Sequence, residues 1–162
     1  MNASSSRRIL GIDPGYGIVG WGIIDQHQST LRYRAHGTIT TPASFPFPER
    51  LRTIYTELVK LFEEYSPDLM GVEKLYFEKN VKTAIDVSQA RGVILLSATL
   101  HNIALVEYTP LQVKQSVTGF GKADKGQVQR MVKSILALTE IPKPDDAADA
   151  LALAICSSQH RI

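Results

Sequence analysis

Residues 9–25 read ILGIDPGYGIVGWGIID: an apolar run closed by Asp13, a break at Pro14-Gly15, and a second apolar run ending in Asp25. Proline and glycine in succession end a strand and turn the chain, so residues 8–13 and 17–25 predict two strands. Residues 30–40 predict a third, across the polar turn 25–29. Three consecutive strands with short connections make an antiparallel meander. Asp13 then stands where a buried strand ends, and open α/β sheets keep their reactive groups just beyond strand carboxyl ends. Taken alone, an aspartate there equally suits a turn that opens onto Pro-Gly.

Three prolines in residues 41–48 stop the sheet. Leu51, Ile54, Tyr55, Leu58, Phe62 and Tyr65 follow at the spacing of one helix face, closed by Ser66-Pro67. DLMGVE, residues 68–73, is a second apolar run ending in a carboxylate, Glu73, and reaching it through a helix is the pattern of a parallel crossover. From Asn80, a suitable N-cap, a long helix runs to about residue 101. Its second half (Val93, Ile94, Leu95, Leu96) is apolar on nearly every side, as in a helix that is deeply buried or shared with a second subunit. Residues 103–108 form another strand, Thr109-Pro110 opens a short helix, and Gly119-Phe120-Gly121 leads into a basic helix over 124–138. The expected class is α/β, with a mixed five-stranded sheet of three antiparallel strands plus two parallel ones, flanked by helices.

The chain has 162 residues, 44% hydrophobic and 21% charged, which is ordinary for one globular domain with its own core. Residues 1–7 read as a flexible basic tail and 8–162 as a single domain. Cys156 is the only cysteine, so a disulfide framework and a cysteine zinc site are excluded. No stretch approaches the ~20 apolar residues of a membrane span, and MNASSSRR lacks the apolar core of a secretory signal, so a cytoplasmic location is expected. Net charge is only +2, but between residues 110 and 135 five basic residues (Lys114, Lys122, Lys125, Arg130, Lys133) face one acid, Asp124. Such a segment suits phosphates, or a solvated helix face.

The closing helix DDAADALALAI, residues 145–155, carries the strongest chemical signal. Beyond Asp149 it is wholly apolar, so it must be buried. Residues three or four apart share a helix face, so Asp149 pairs with Asp146 or with Asp145. Acids at a helix start are favoured by the dipole, which accounts for one of the pair. It does not account for Asp149, which lies a turn further in and has no cationic neighbour in sequence. Side-by-side buried carboxylates call for a bound cation. With Asp13 and Glu73 added, the set offers oxygen ligands for Mg²⁺ or Mn²⁺, and two such ions can clamp both oxygens of a phosphodiester under attack.

GIDPGYGIVGWG, VEKLYFEKNVKTAIDVSQARGV, YTPLQVKQSVTGFGKADKGQVQRMV and DDAADALALAI together resemble the bacterial RuvC-type Holliday-junction resolvases, crossover-junction endodeoxyribonucleases of the ribonuclease H-like fold. The resemblance spans nearly the whole chain. It implies metal ligands at Asp13, Glu73, Asp146 and Asp149, choosing Asp146 over Asp145. It further implies two Mg²⁺ per site with Mn²⁺ as a substitute, a homodimer, and paired nicks in four-way junction DNA. Lys114 and Lys125 then lie near the scissile phosphate, and Tyr76 contacts bases near the crossover. Phe77, Arg91 and Lys122 are further expected DNA contacts. A branch-migration motor of the RuvA and RuvB type is an expected partner.

Two other classes share features of the pattern. An aspartate before a glycine-punctuated hairpin also opens actin-like ATPases and sugar kinases, but those pair two such domains around a nucleotide, and 162 residues supply one. A non-catalytic junction-binding protein would have little reason to keep all four carboxylates. YqgF-type domains share the first strand and turn, without the long apolar helix after Glu73.

Overall fold

A computed structural model of the chain describes residues 6–75 and 81–160. β1 (Ser6–Asp13), β2 (Ile18–His27) and β3 (Thr30–Thr40) form the antiparallel meander. α1 (Phe47–Tyr65) carries the chain to β4 (Leu69–Glu73), which pairs parallel with β1, and α2 (Val81–Leu100) carries it to β5 (Ala104–Tyr108), parallel to β4. α3 (Pro110–Thr118), α4 (Lys125–Ile135) and α5 (Asp145–Ser158) complete the chain. The strand order is β3-β2-β1-β4-β5. This is the expected mixed sheet. No helix among the described residues is long and apolar enough to cross a membrane.

β1 starts two residues earlier than the sequence pattern indicates. Ser6 and Arg7 pair with His27 and Gln26, so they belong to the strand and not to a tail. Arg7 also donates to the Ser158 carbonyl at 2.6 Å, tying the strand to the end of α5. Charged residues at a strand edge mask the alternation that would have shown this.

Side chains alternate across the sheet, and each face has its own core. Leu10, Ile12, Ile23, Met70 and Val72 pack with α1 and α2. Ile9, Ile24 and Leu69 point the other way, toward α3, α4 and α5. On that second face Gly22, Gly11 and Gly71 stand level with one another on three neighbouring strands. α5 lies across this row. A methyl group at Gly11 would come within 1.9 Å of the Ala150 carbonyl oxygen, and one at Gly71 within 1.9 Å of the Ser157 hydroxyl. The row is glycine because α5 occupies the space any side chain would need, with its backbone at Gly11 and with the Leu151 and Ser157 side chains at Gly22 and Gly71. α5 answers with alanines at 147, 148, 150, 152 and 154, all buried.

Candidate active site

Asp13 lies two residues beyond Gly11 and Glu73 two residues beyond Gly71, so both carboxylates project from the α5 face of the sheet. β1 and β4 are adjacent and parallel, which sets the two acids side by side at strand ends. α5 begins above them: a methyl group at Gly20, the residue paired with Asp13, would come within 2.0 Å of the Asp146 carbonyl oxygen. The glycine row thus brings the start of α5, with Asp146 and Asp149, down to the strand ends. Glu73 and Asp149 line one cavity of about 250 Å³ together with Pro110, Val113, Lys114 and Lys125.

Three of these acids, Asp13, Glu73 and Asp149, are raised. Burial, and then the charges of Asp149, Glu73 and Asp146, push the Asp13 carboxyl up to about 8. Burial and Asp149 raise Glu73, against a lowering pull from Lys114. Burial raises Asp149 as well, opposed by its hydrogen bond from Lys125. Asp145 behaves differently. Lys143 (3.2 Å), Gln129 (3.1 Å) and Lys125 (3.5 Å) surround it and hold its carboxyl below the usual range. The charge of Asp146 acts on Asp13, and those of both Asp145 and Asp146 act on Asp149.

The cation that the sequence around Asp149 lacks comes from another element. Lys125, the first residue of α4, places Nζ 3.1 Å from Asp149 Oδ2. Asp124 starts that helix with a reciprocal cap: its side chain accepts from the Gln127 N–H at 2.8 Å while the Gln127 side chain accepts from the Asp124 N–H. The cap fixes where α4 begins and therefore where Lys125 points.

Among the described residues no three His, Cys, Asp or Glu side chains stand in ion-holding geometry. Lys125 neutralises one of the acids, Asp149. The donors nonetheless suit a hard divalent cation: all are carboxylate oxygens, and a cation among them would offset the burial and like charge that raise Asp13.

The family model described as crossover junction endodeoxyribonuclease RuvC matches residues 9–157. The chain belongs to the RuvC family. It is 57% identical over 148 residues to the crossover junction endodeoxyribonuclease RuvC of Alkaliphilus oremlandii, covering 91% of this chain and 90% of that protein. Against the RuvC of Brevibacillus brevis it is 55% identical over 154 residues, covering 95% and 93%. The structure of T. thermophilus RuvC in complex with Holliday junction substrate is similar at a TM-score of 0.89 and 31% identity, over 94% of this chain and 93% of that one. The sheet and its helices are accordingly ribonuclease H-like. Family membership sets aside the actin-like and sugar-kinase reading.

The other expected contacts divide by position. Lys114 lies on α3 at the cavity, and Lys122 is exposed on the loop before α4. Arg91 is turned inward: Nε donates to the Glu73 carbonyl oxygen at 3.1 Å and the guanidinium pairs with Glu107. It braces the strand end that presents Glu73. Tyr76 and Phe77, and the Asn80 cap, lie outside the described residues. Sequence reading missed the glycine row and Gln129. The signal for the row was present as GID at 11–13 and GVE at 71–73, each a glycine two residues before an acid.

Proposed function

We propose that Asp13, Glu73, Asp146 and Asp149 hold two Mg²⁺ ions, with Mn²⁺ as a substitute, and that the chain resolves Holliday junctions by paired symmetric nicks. Its family makes it a crossover junction endodeoxyribonuclease. The observation that carries the finer reading is one face presenting two strand-end acids beneath a helix pair, with Asp13 pushed up to about 8 by burial and by the other three. Bound divalent ions supply an activated water and a clamp on the phosphodiester oxygens.

The residues of the chain do the rest. Asp13 and Glu73 are fixed by adjacent strands and set a rigid floor. Arg91 holds the Glu73 backbone. Lys125 neutralises Asp149 and lines the cavity together with Lys114, where both ammonium groups would face the scissile phosphate. In-line attack leaves a 5′-phosphate and a 3′-hydroxyl. Lys122 binds the junction backbone, and Tyr76 with Phe77 stacks on bases opened at the crossover, a contact worth ~1–3 kcal/mol per base. The chain acts as one nuclease domain in the cytoplasm, with a RuvA and RuvB type motor as partner.

A two-fold junction calls for a two-fold enzyme, and α2 supplies the surface. Its Ile85, Leu96 and Leu100 are more than half exposed, an apolar stripe on a helix whose other side is buried. Leu96→Glu should convert a dimer to monomer in sedimentation. An unchanged folded dimer would place the interface elsewhere.

The deciding experiment incubates the protein with a synthetic mobile four-way junction or a linear duplex, in Mg²⁺ or in excess EDTA. Symmetric nicks in the junction alone, with Mg²⁺ and without ATP, are expected. Binding should persist in EDTA, since phosphate contacts supply affinity and the ions supply chemistry. Efficient cleavage in EDTA, or equal cutting of the duplex, defeats the reading.

A further inference from the structure

The loop between α3 and α4 holds an aromatic ring outside the protein on a backbone that has little freedom. Gly119 takes the left-handed conformation (φ 75°) and donates its N–H to the Gln115 carbonyl at 2.9 Å. The Gln115 side chain returns a hydrogen bond to the Gly119 carbonyl at 2.8 Å. Phe120 N–H donates to the Thr118 hydroxyl at 3.1 Å, and the Phe120 carbonyl accepts from Ala123 N–H at 3.0 Å. Held on both sides, Phe120 still leaves 56% of its surface in solvent.

It is not alone there. Leu111, 61% exposed, packs its Cγ 3.2 Å from where a Gly121 side chain would begin, which joins it to the loop. Met131, on α4, shares with Phe120 a groove of about 260 Å³ that Thr118, Ala123, Gln127 and Arg130 complete. This groove is distinct from the carboxylate cavity, which α4 lines with Lys125 and Val128.

Charge around the groove is one-sided. Lys122 and Arg130 are exposed, and among the described residues neither has an ion pair or hydrogen bond. The one acid in the segment, Asp124, is occupied in capping α4. An exposed aromatic and a methionine flanked by uncommitted cations match a nucleic-acid strand, whose flat bases and sugars alternate with phosphates. A fixed loop loses little entropy on binding such a strand.

We propose that the Phe120 loop and the adjoining face of α4 are a second DNA-contact surface. Phe120 packs on a base or deoxyribose of a junction arm leaving the cleavage site, and Lys122 and Arg130 take the flanking phosphates. This rests on junction DNA being the substrate, and it adds a site outside the carboxylate cavity.

Fluorescence anisotropy of a labelled four-way junction, titrated in EDTA at several salt concentrations, tests it without reference to cleavage. Phe120→Ala should weaken binding about tenfold with little change in salt slope, because the lost contact is apolar. Arg130→Ala should lower the slope by about one unit. Both positions are exposed, so melting temperatures should match wild type. Phe120→Trp, made in a Trp21→Phe background, should keep affinity and lose fluorescence on adding junction as the indole stacks. Wild-type affinity and slope in both Phe120→Ala and Arg130→Ala would overturn the proposal while leaving the junction reading intact. A defect seen only when an acidic partner protein is added would also overturn it. Failure of the wild-type protein itself to prefer junction over duplex would instead remove the reading beneath it.

Discussion

The two faces of the sheet are packed by opposite means. Toward α1 and α2, strands send out Leu10, Ile12, Ile23, Met70 and Val72, and a thick aliphatic layer separates sheet from helices. Toward α5, the same strands present Gly22, Gly11 and Gly71, and the helix packs directly on this row, backbone against backbone at Gly11. A thick layer is specified by volume and tolerates rearrangement. A layer whose closest contacts fall on glycines is specified by position and tolerates little. The carboxylates are on the second kind of face, where the spacing between strand-end and helix acids is set by backbone contact.

The largest test of that contrast is chemical. Asp146→Asn and Asp149→Asn keep size and hydrogen bonding but remove ligand charge, so junction cleavage in Mg²⁺ should fall by roughly three orders of magnitude. Junction binding and folding should survive. Asp145→Asn is the control, since its carboxylate is turned to Lys143 and Gln129. It points about 100° away from Asp146 around the helix and should retain most activity. Loss at Asp145 with normal turnover at Asp146 would mean that the wrong helix pair has been assigned.

A smaller effect should separate the faces by packing alone. Gly11→Ala forces a methyl against the Ala150 carbonyl and must displace α5, costing about 3 kcal/mol and reducing cleavage although no ligand has changed. Met70→Leu, a residue away in register on the other face, should cost less than about 1.5 kcal/mol and leave cleavage alone. Chemical denaturation with parallel rate measurements reads both. Equal penalties would show that the glycine row is not what places the helix.

Much of this was legible beforehand. Apolar runs ending in Asp13 and Glu73 announced strands and strand-end acids, and the buried acidic start of α5 announced a site. What could not be read was distance. Lys125 reaches Asp149 only because a capped α4 returns to the mouth of the cavity, and no local pattern joins the two. Arg91, expected at the DNA, is turned by the fold onto the Glu73 carbonyl. The glycines at 11, 20 and 71 read as punctuation, since a single strand does not reveal that a helix lies on it.

The finest contrast concerns charge on the close face, and its sign is fixed by Asp13. Its carboxyl is held at about 8 in the folded chain, against an ordinary value of 3.8. Between those limits the folded state binds the proton that the unfolded chain has lost. The Asp13 contribution to metal-free stability therefore falls as pH rises from about 4 to about 8, and levels off above. Asp25 runs the opposite way: burial raises it, but hydrogen bonds and charge from Arg8 and Arg34 bring it below the usual range. Its stabilisation is lost only as pH drops through that lowered value. Asp25 is common to both proteins, so it cancels when wild type is compared with Asp13→Asn. In EDTA at pH 8 that variant should melt about 5 °C higher than wild type, and at pH 4 the two should nearly coincide. Adding Mg²⁺ at pH 8 should reverse the order, because the ion stabilises only the protein that keeps its ligand. A gain of the same size at both pH values would mean that Asn packs better than Asp there, and that the cost of a buried charge among like charges is not what sets the pH dependence.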